Sequence, residues 1–423
     1  MSSDDYLRRT VITRLDVSPS DESLLRETVS EWKRGCQIAV DKSWDQYTSK
    51  TTVQQIAYDD IREQTELGSQ HAILASHQAA ENIKTCLSRR EDGKSVSKPT
   101  YTSPTVTYDP RTLTLFREKE QVTLTTIESR IQADLVLPAD ENGYQYKYLD
   151  GEDWELTEST LHYRDGEWYL HIGVRKLAPE TQQAEETTEN GTVLGVDLGV
   201  NEIAVTSTAR FFSASELNHK RREFDRVHFG LQACGTRNAH RTLETVTGRE
   251  TEYVKHVLHS VSKELVAEAL RYDCAGIVFE ELAGIRERLP NADWHSKWAF
   301  DVLLTYVTYK AEAAGLFVET IPPNNTSKRC PECGFVADDN RPERDAFECQ
   351  QCGNKNHADY NAAKNVADAY LRREQQSSRR RGVSQYALKS GTVTPNGVLL
   401  PTLMGLRQRT WTSLTHNKAN SVV

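Results

Sequence analysis

Apolar residues in the first part of the chain recur at helical steps: Leu24, Leu25, Val29 and Trp32, then Ile56 and Ile61, then Ile73, Leu74 and Ile83. Few turn residues interrupt them, so residues 21 to 92 are predicted to form a helical lobe. From Pro99 to Leu177 the texture changes to short alternating runs, TVTYD, LTLF, QVTLTTI and TLHYRDGEWYLHIGV. Such alternation predicts a small antiparallel barrel or sheet, with hairpins at the Asp-Gly pairs 150/151 and 165/166. Residues 179 to 192 are polar, acidic and aperiodic, the signature of a linker.

After the linker the pattern becomes α/β. Strands are predicted at 193–199 (VLGVDLG), 203–208 (IAVTST), 276–282 (GIVFEEL) and 315–321 (GLFVETI). A long helix presents Val254, Leu258, Val261, Leu265 and Ala269 on one face, and another runs from about Trp294 to Ala314. Trp294, Trp298 and Phe300 on that second helix read as core. A cysteine-bearing segment follows, then a closing helix from Ala358. Low periodicity beyond Glu374 predicts a disordered tail over 375 to 423.

At 423 residues the chain calls for several domains. No apolar run is long enough to span a membrane and MSSDDYLRRT carries no signal-type segment, which points to the cytoplasm. In that reducing compartment the 8 cysteines are not a disulfide set, and Cys36, Cys86, Cys234 and Cys274 read as packed residues. A net charge of -9 argues against a uniformly polyanion-binding surface. Basic residues nevertheless gather at 219–222, 237–241 and 379–381, and acids at 59–66 and 179–190. Lys220, Arg221, Arg222, Arg237 and Arg241 are candidates for phosphate contacts, or else belong to ordinary solvated faces.

Cys330-Pro-Glu-Cys333-Gly and Cys349-Gln-Gln-Cys352-Gly have the spacing of two zinc knuckles. Each CxxC turns two thiolates toward one ion, and four sulfurs close a tetrahedral shell with no open position, so the predicted Zn²⁺ is structural. Three acids fall where α/β elements end: Asp197 in VLGVDLG, Glu280 in GIVFEEL and Asp359 in DYNAAKNVA. Rigid carboxylates of this kind hold paired Mg²⁺ ions, or Mn²⁺ as a substitute, for phosphodiester hydrolysis. From the residues alone, Asp359 is equally an N-cap, Asp197 a turn acid, and either Glu280 or Glu281 an edge charge.

The ordered motifs GVDLGVNEIAVTS, HSVSKELV, IVFEELAGIRERL, TSKRCPECGF and HADYNAAKNVA resemble those of TnpB (OrfB) proteins, the transposon-encoded relatives of type V CRISPR effectors. The likeness spans about Val193 to Leu371; the segment SEWKRGCQIAVDKSW matches the family's front half only loosely. This resemblance implies a multidomain α/β and β protein. A ribonuclease-H-like RuvC nuclease domain at 193–325 and 353–374 would be interrupted by a zinc ribbon at 326–352. A wedge-like β-barrel at 1–20 and 93–178 would precede it, with the helical recognition lobe inserted. It also implies Asp197, Glu280 and Asp359 as the catalytic, Mg²⁺-binding acids, and an RNA-guided DNA endonuclease with two partners, its DNA substrate and a guide RNA from the transposon end. The competing function is a catalytically decayed, DNA-binding accessory of transposition, against which the intact acids stand. A strand-joining transposase is disfavoured because no HUH pair is evident.

Overall fold

A computed structural model describes residues 6–139, 143–151, 153–178, 191–281, 294–376, 383–389, 392–394, 397–400 and 409–410. The acidic linker at 179–190, the basic run 379–381 and the motif residues 282–290 lie outside them, as do the side chains of Trp294 and Trp298. The chain divides into two units, 1–177 and 178–423. No helix among the described residues is long and apolar enough to cross a membrane.

In the first unit, strand β1 (Tyr6–Asp16) leads into three helices, α1 (Pro19–Ser43), α2 (Lys50–Gln64) and α3 (Ser69–Glu91). Ser18 caps α1 by accepting the Asp21 amide, and Leu25, Val29, Trp32 and Cys36 form its buried stripe. Seven strands follow: β2 (Thr105–Tyr108), β3 (Leu113–Phe116), β4 (Gln121–Thr125), β5 (Arg130–Val136), β6 (Glu155–Leu156), β7 (Ser159–Arg164) and β8 (Glu167–Leu177), with a short helix α4 (Tyr144–Leu149) before β6. Their order is β2-β7-β8-β1-β5-β4-β3, with β6 paired to β8 and every ladder antiparallel. Among the described residues no ladder joins β2 to β3, so the ladders form an antiparallel sheet, one of the two forms expected. Inward and outward residues alternate strictly along β5.

Only one of the two Asp-Gly pairs turns a hairpin. Asp165 (φ 53°) and Gly166 (φ 86°) join β7 to β8 with positive φ at both positions, as a two-residue hairpin requires. Asp150 instead ends α4, its N–H donating to the Tyr146 carbonyl at 2.9 Å, while Tyr148 packs edge-on to Trp154. Local turn chemistry there closes a helix.

The second unit is built on β9 (Gly191–Leu198), β10 (Glu202–Thr206), β11 (Phe211–Ser213), β12 (Cys274–Glu280) and β13 (Phe317–Ile321). They lie in the order β11-β10-β9-β12-β13. Strand β10 runs antiparallel to both β11 and β9, whereas β12 runs parallel to both β9 and β13. Helices α5 (Ser215–Cys234), α6 (Arg237–Arg271) and α7 (Trp294–Ala313) connect them, and α8 (Ala358–Gln376) follows the cysteine segment. Two short strands, β14 (Ala346–Glu348) and β15 (Lys355–His357), pair within that segment.

Burial on both faces explains the continuous apolar runs of β9 and β12. Leu194, Val196, Ile277 and Phe279 join the core with Leu258, Leu265, Leu303 and Val307 of α6 and α7. Val193 and Val278 join the opposite core with Val366, Ala367 and Tyr370 of α8. Gly195 points to the α8 side. A Cβ there would overlap the Ala363 carbonyl and lie 2.8 Å from Ala367 Cβ, so only glycine lets the helix seat this closely. Gly195→Ala is therefore expected to destabilise this unit by about 1–3 kcal/mol, read as a lower denaturant midpoint at unchanged slope.

The tail departs from the disorder its sequence predicts. Strand β16 (Val383–Tyr386) runs parallel to the start of β9 and buries Val383 and Tyr386. Strands β17 (Thr392–Val393) and β18 (Leu399–Leu400) form a pair, and β19 (Arg409–Thr410) joins β16. Val393 packs beside Tyr360 of α8, whose hydroxyl donates to the Lys389 carbonyl at 3.2 Å. These contacts are distant in sequence, which is why local periodicity does not announce them. Cys234 also departs from expectation: it is exposed near the end of α5, whereas Cys36 and Cys274 are buried.

Candidate metal centre

The parallel register of β9 and β12 sets Gly195 opposite Val278 and Val196 opposite Phe279. Asp197 and Glu280 are the next residues on their strands, at the same level. By alternation both side chains project to the α8 face, following Val193 and Gly195 on one strand and Val278 on the other. Glu281 has the opposite parity; its side chain is exposed and its N–H continues the sheet to the Ile321 carbonyl at 2.7 Å. The sheet thus distinguishes two glutamates that the sequence leaves equivalent. Asp359 sits in the first turn of α8, one turn ahead of the Ala363 that seats on Gly195.

The charges of these three acids face one another. Burial first, then the facing charges of Asp359 and Glu280, push the Asp197 carboxyl well above the usual carboxylate range, with Arg341 opposing. Glu280 Oε2 accepts from Thr326 Oγ1 at 2.7 Å, and Asp359 Oδ1 lies 3.4 Å from Arg341 Nη2. A carboxyl raised in this way stabilises the fold at low pH, and that contribution is lost as pH rises from about 4 through its folded pKa. Metal-free Asp197→Asn protein should then gain thermal stability over the parent, by a margin that widens with pH. Equal melting temperatures of the two proteins from pH 5 to 8 would contradict this.

The four cysteines also converge. Cys330 and Cys352 Sγ are 3.6 Å apart, as are Cys333 and Cys349 Sγ, and all four lie within 4.8 Å of one another. The two knuckles repeat one geometry: Gly334 (φ 79°) and Gly353 (φ 73°) curl back so that each N–H donates to the carbonyl of Cys330 or Cys349 at 2.9 Å. Burial raises the Cys349 thiol, but hydrogen bonds from the Cys352 and Gln351 amides, together with those shared with the Cys333 and Cys352 sulfurs, bring it down to about 7. Such a set can hold a metal ion.

Side chains that the sequence analysis did not single out join the two clusters. Asn365 Nδ2 donates to the carbonyls of Thr326 (2.7 Å) and Arg329 (2.6 Å), and Asn361 Nδ2 to that of Arg329 (3.0 Å). Thus α8 grips the turn entering the knuckles, including the threonine that holds Glu280. On the other side the Ala358 N–H donates to the Asp345 carbonyl at 3.0 Å, tying the end of the cysteine segment to the helix start. Asn361 and Asn365 were visible only as part of the motif NAAKN; their role needs the packed helix.

The five basic candidates do not converge. Lys220 pairs with Glu223 at 2.8 Å. Arg221 lines a small cleft with Ile203, Leu217, Leu258 and Phe300. Arg222, Arg237 and Arg241 are exposed along α5 and α6.

Comparison with known proteins finds similar chains. A family described as "Cas12f1-like, TNB domain" matches residues 300–366, which carry the cysteines and Asp359. The CRISPR-associated endodeoxyribonuclease Cas12f1 of Sulfoacidibacillus thermotolerans is 30% identical over 234 residues, 52% of this chain and 55% of that protein. A TnpB-like protein of Methanocaldococcus jannaschii is 36% identical over 115 residues, 26% of this chain and 40% of that one. A Cas12f1 solved in complex with sgRNA and target DNA superposes with a TM-score of 0.58 at 16% identity, covering 83% of each chain, a likeness of fold. The chain is therefore a relative of the TnpB-like and Cas12f1 proteins, and its matched segments span about half the length of these curated relatives.

Proposed function

We propose that this chain is an RNA-guided, RuvC-type DNA endonuclease of the transposon-associated kind. The observation that carries the proposal is the convergence of Asp197, Glu280 and Asp359, from two adjacent parallel strands and one helix, on a single face of the sheet. Three antiparallel strands followed by two parallel ones, with the first strand central, suit a ribonuclease-H-like domain. Oxygen-only donors at the edge of a sheet suit Mg²⁺, which would supply charge neutralisation and Lewis acidity at a scissile phosphate. The chain's own part is to hold these ligands still: Thr326 fixes Glu280, Arg341 offsets the charge of Asp359, and the seat of α8 on Gly195 sets the spacing.

The four cysteines fit a structural Zn²⁺, since a closed sulfur set leaves no position for substrate. Its place is to brace the turn that presents Asp359. Relatives named as endodeoxyribonucleases, and one solved with guide RNA and target DNA, support DNA as substrate and RNA as partner. In this reading base pairing selects the target, so the protein's cations contact backbone. The test is to sequence RNA that copurifies with the protein when it is expressed with its flanking DNA. One discrete RNA from the transposon end is expected; a random sample of host RNA would count against guidance.

A further inference from the structure

The motif HSVSKELV belongs to neither the carboxylates nor the cysteines. It lies on α6, whose buried side, with that of α7, covers the face of the sheet carrying Leu194, Val196, Ile277 and Phe279, opposite the face of Asp197 and Glu280. His256, His259 and Lys263 are exposed on the outer side of α6 at steps of three and four residues, so they follow one another along the helix surface. Lys310 of α7 reaches across to them. Its Nζ donates to the His259 carbonyl at 2.9 Å and to the Ser262 hydroxyl, and lies 3.3 Å from His259 Nδ1. The His259 ring stacks on Tyr306 of α7, with centroids 3.8 Å apart and planes 15° apart.

The cations of this cluster lack counter-charges. Among the described residues no carboxylate pairs with Lys263 or Lys310, and the nearby Glu252 and Glu264 are engaged by Lys255 and Arg210. Burial, then the facing charge of Lys263, brings the Lys310 amine down to about 8; burial, then Lys310 and His256, lower the His259 ring. Neutral oxygens hold the amine in place but leave its charge uncompensated, in a chain whose net charge is -9. Like charges gathered at a cost suit a polyanion, whose phosphates supply the counter-charge. The stacked rings narrow the choice. An exposed ring backed by another is a platform for an unpaired base, whereas the bases of a duplex are already stacked. This surface also faces away from the carboxylates, so a strand lying on it is not the strand being cut.

We propose that the outer face of α6 and α7 binds a single-stranded segment of RNA, with Lys263 and Lys310 on phosphates and His259, backed by Tyr306, under a base. The choice of RNA rests on reading the chain as RNA-guided; the single strand follows from the uncompensated charge and the stacked rings.

Full-length protein freed of bound nucleic acid is titrated with a labelled single-stranded RNA of arbitrary sequence over a range of salt. Lys263→Gln and Lys310→Gln should each weaken binding by about threefold or more and make the slope of log affinity against log salt shallower by about 0.7, the counterion release lost with one phosphate contact. His259→Ala should weaken binding by about fivefold or more with little change in that slope, since stacking releases no counterion. A fold defect would move all three variants alike, without this division of affinity and slope. Lys263, exposed on α6, carries the test if the Lys310 variant fails to fold. In a mixture of the RNA with a DNA duplex, ultraviolet crosslinking of the parent should attach ribonucleotides to the peptide bearing His259. Parent-like affinity and slope in Lys263→Gln and Lys310→Gln would overturn the surface, and deoxyribonucleotides at His259 would overturn the choice of RNA. Because the probe has arbitrary sequence, either result is independent of whether one discrete RNA copurifies with the chain, which is the test of guidance itself.

Discussion

Alanine in place of Asp197, Glu280 or Asp359 should lower DNA cleavage by at least about a thousandfold while changing nucleic-acid affinity by less than about threefold. Metal ligands act on charge that develops in the transition state, so their loss falls on the chemical step rather than on docking. Single-turnover cleavage and filter binding separate the two. Glu281→Ala is the internal control, because Glu281 leaves the sheet on the other side and its side chain faces solvent. It should cut within about twofold of the parent, since surface substitutions away from a site have small effects. Full cleavage by the Asp197 variant would remove the triad from consideration, and a silent Glu280→Ala beside an inactive Glu281→Ala would move the second ligand.

Serine at Cys330 or Cys349 should abolish tight metal binding at the knuckles and reduce cleavage by about a hundredfold or more. Both cysteines are buried, and binding of a structural zinc is coupled to folding by about 10–16 kcal/mol in small zinc modules. The effect reaches the carboxylates along two paths seen here. Thr326, which holds Glu280, is gripped by Asn365, and Asp345 receives the Ala358 N–H next to Asp359. Elemental analysis alongside cleavage reads both losses, with Cys234→Ser, an exposed position outside the knuckles, expected to match the parent in each. Zinc-free protein that still cuts at the parent rate would separate the knuckles from the centre.

How much of this was legible in the sequence follows from the range of the interactions. Strands β2 to β4, β7 to β10, β12 and β13, with helices α1, α3, α6 and α8, are written in local periodicity, because each has a face that must be buried. An acid inside the apolar run VLGVD is conspicuous, since charge in a central strand needs a partner. The choice of Glu280 over Glu281 was not legible, because it depends on which face of β12 receives α8. Asp150-Gly151 misled for a related reason: the dipeptide suits a hairpin, yet the preceding residues close a helical turn packed through Tyr148 and Trp154. In the tail, Val383 and Tyr386 are buried by a parallel pairing with β9 that no local pattern encodes.

The most direct test of the central claim compares one preparation in two states, with its copurified RNA and after nuclease stripping, on DNA matching that RNA in the presence of Mg²⁺. The RNA-loaded protein should cut the matched DNA and spare a mismatched one; the stripped protein should cut neither, and should recover when the RNA is returned. Site-specific cutting by stripped protein would show that the chain reads DNA directly, and binding without hydrolysis in every arm would identify a decayed accessory in place of a nuclease.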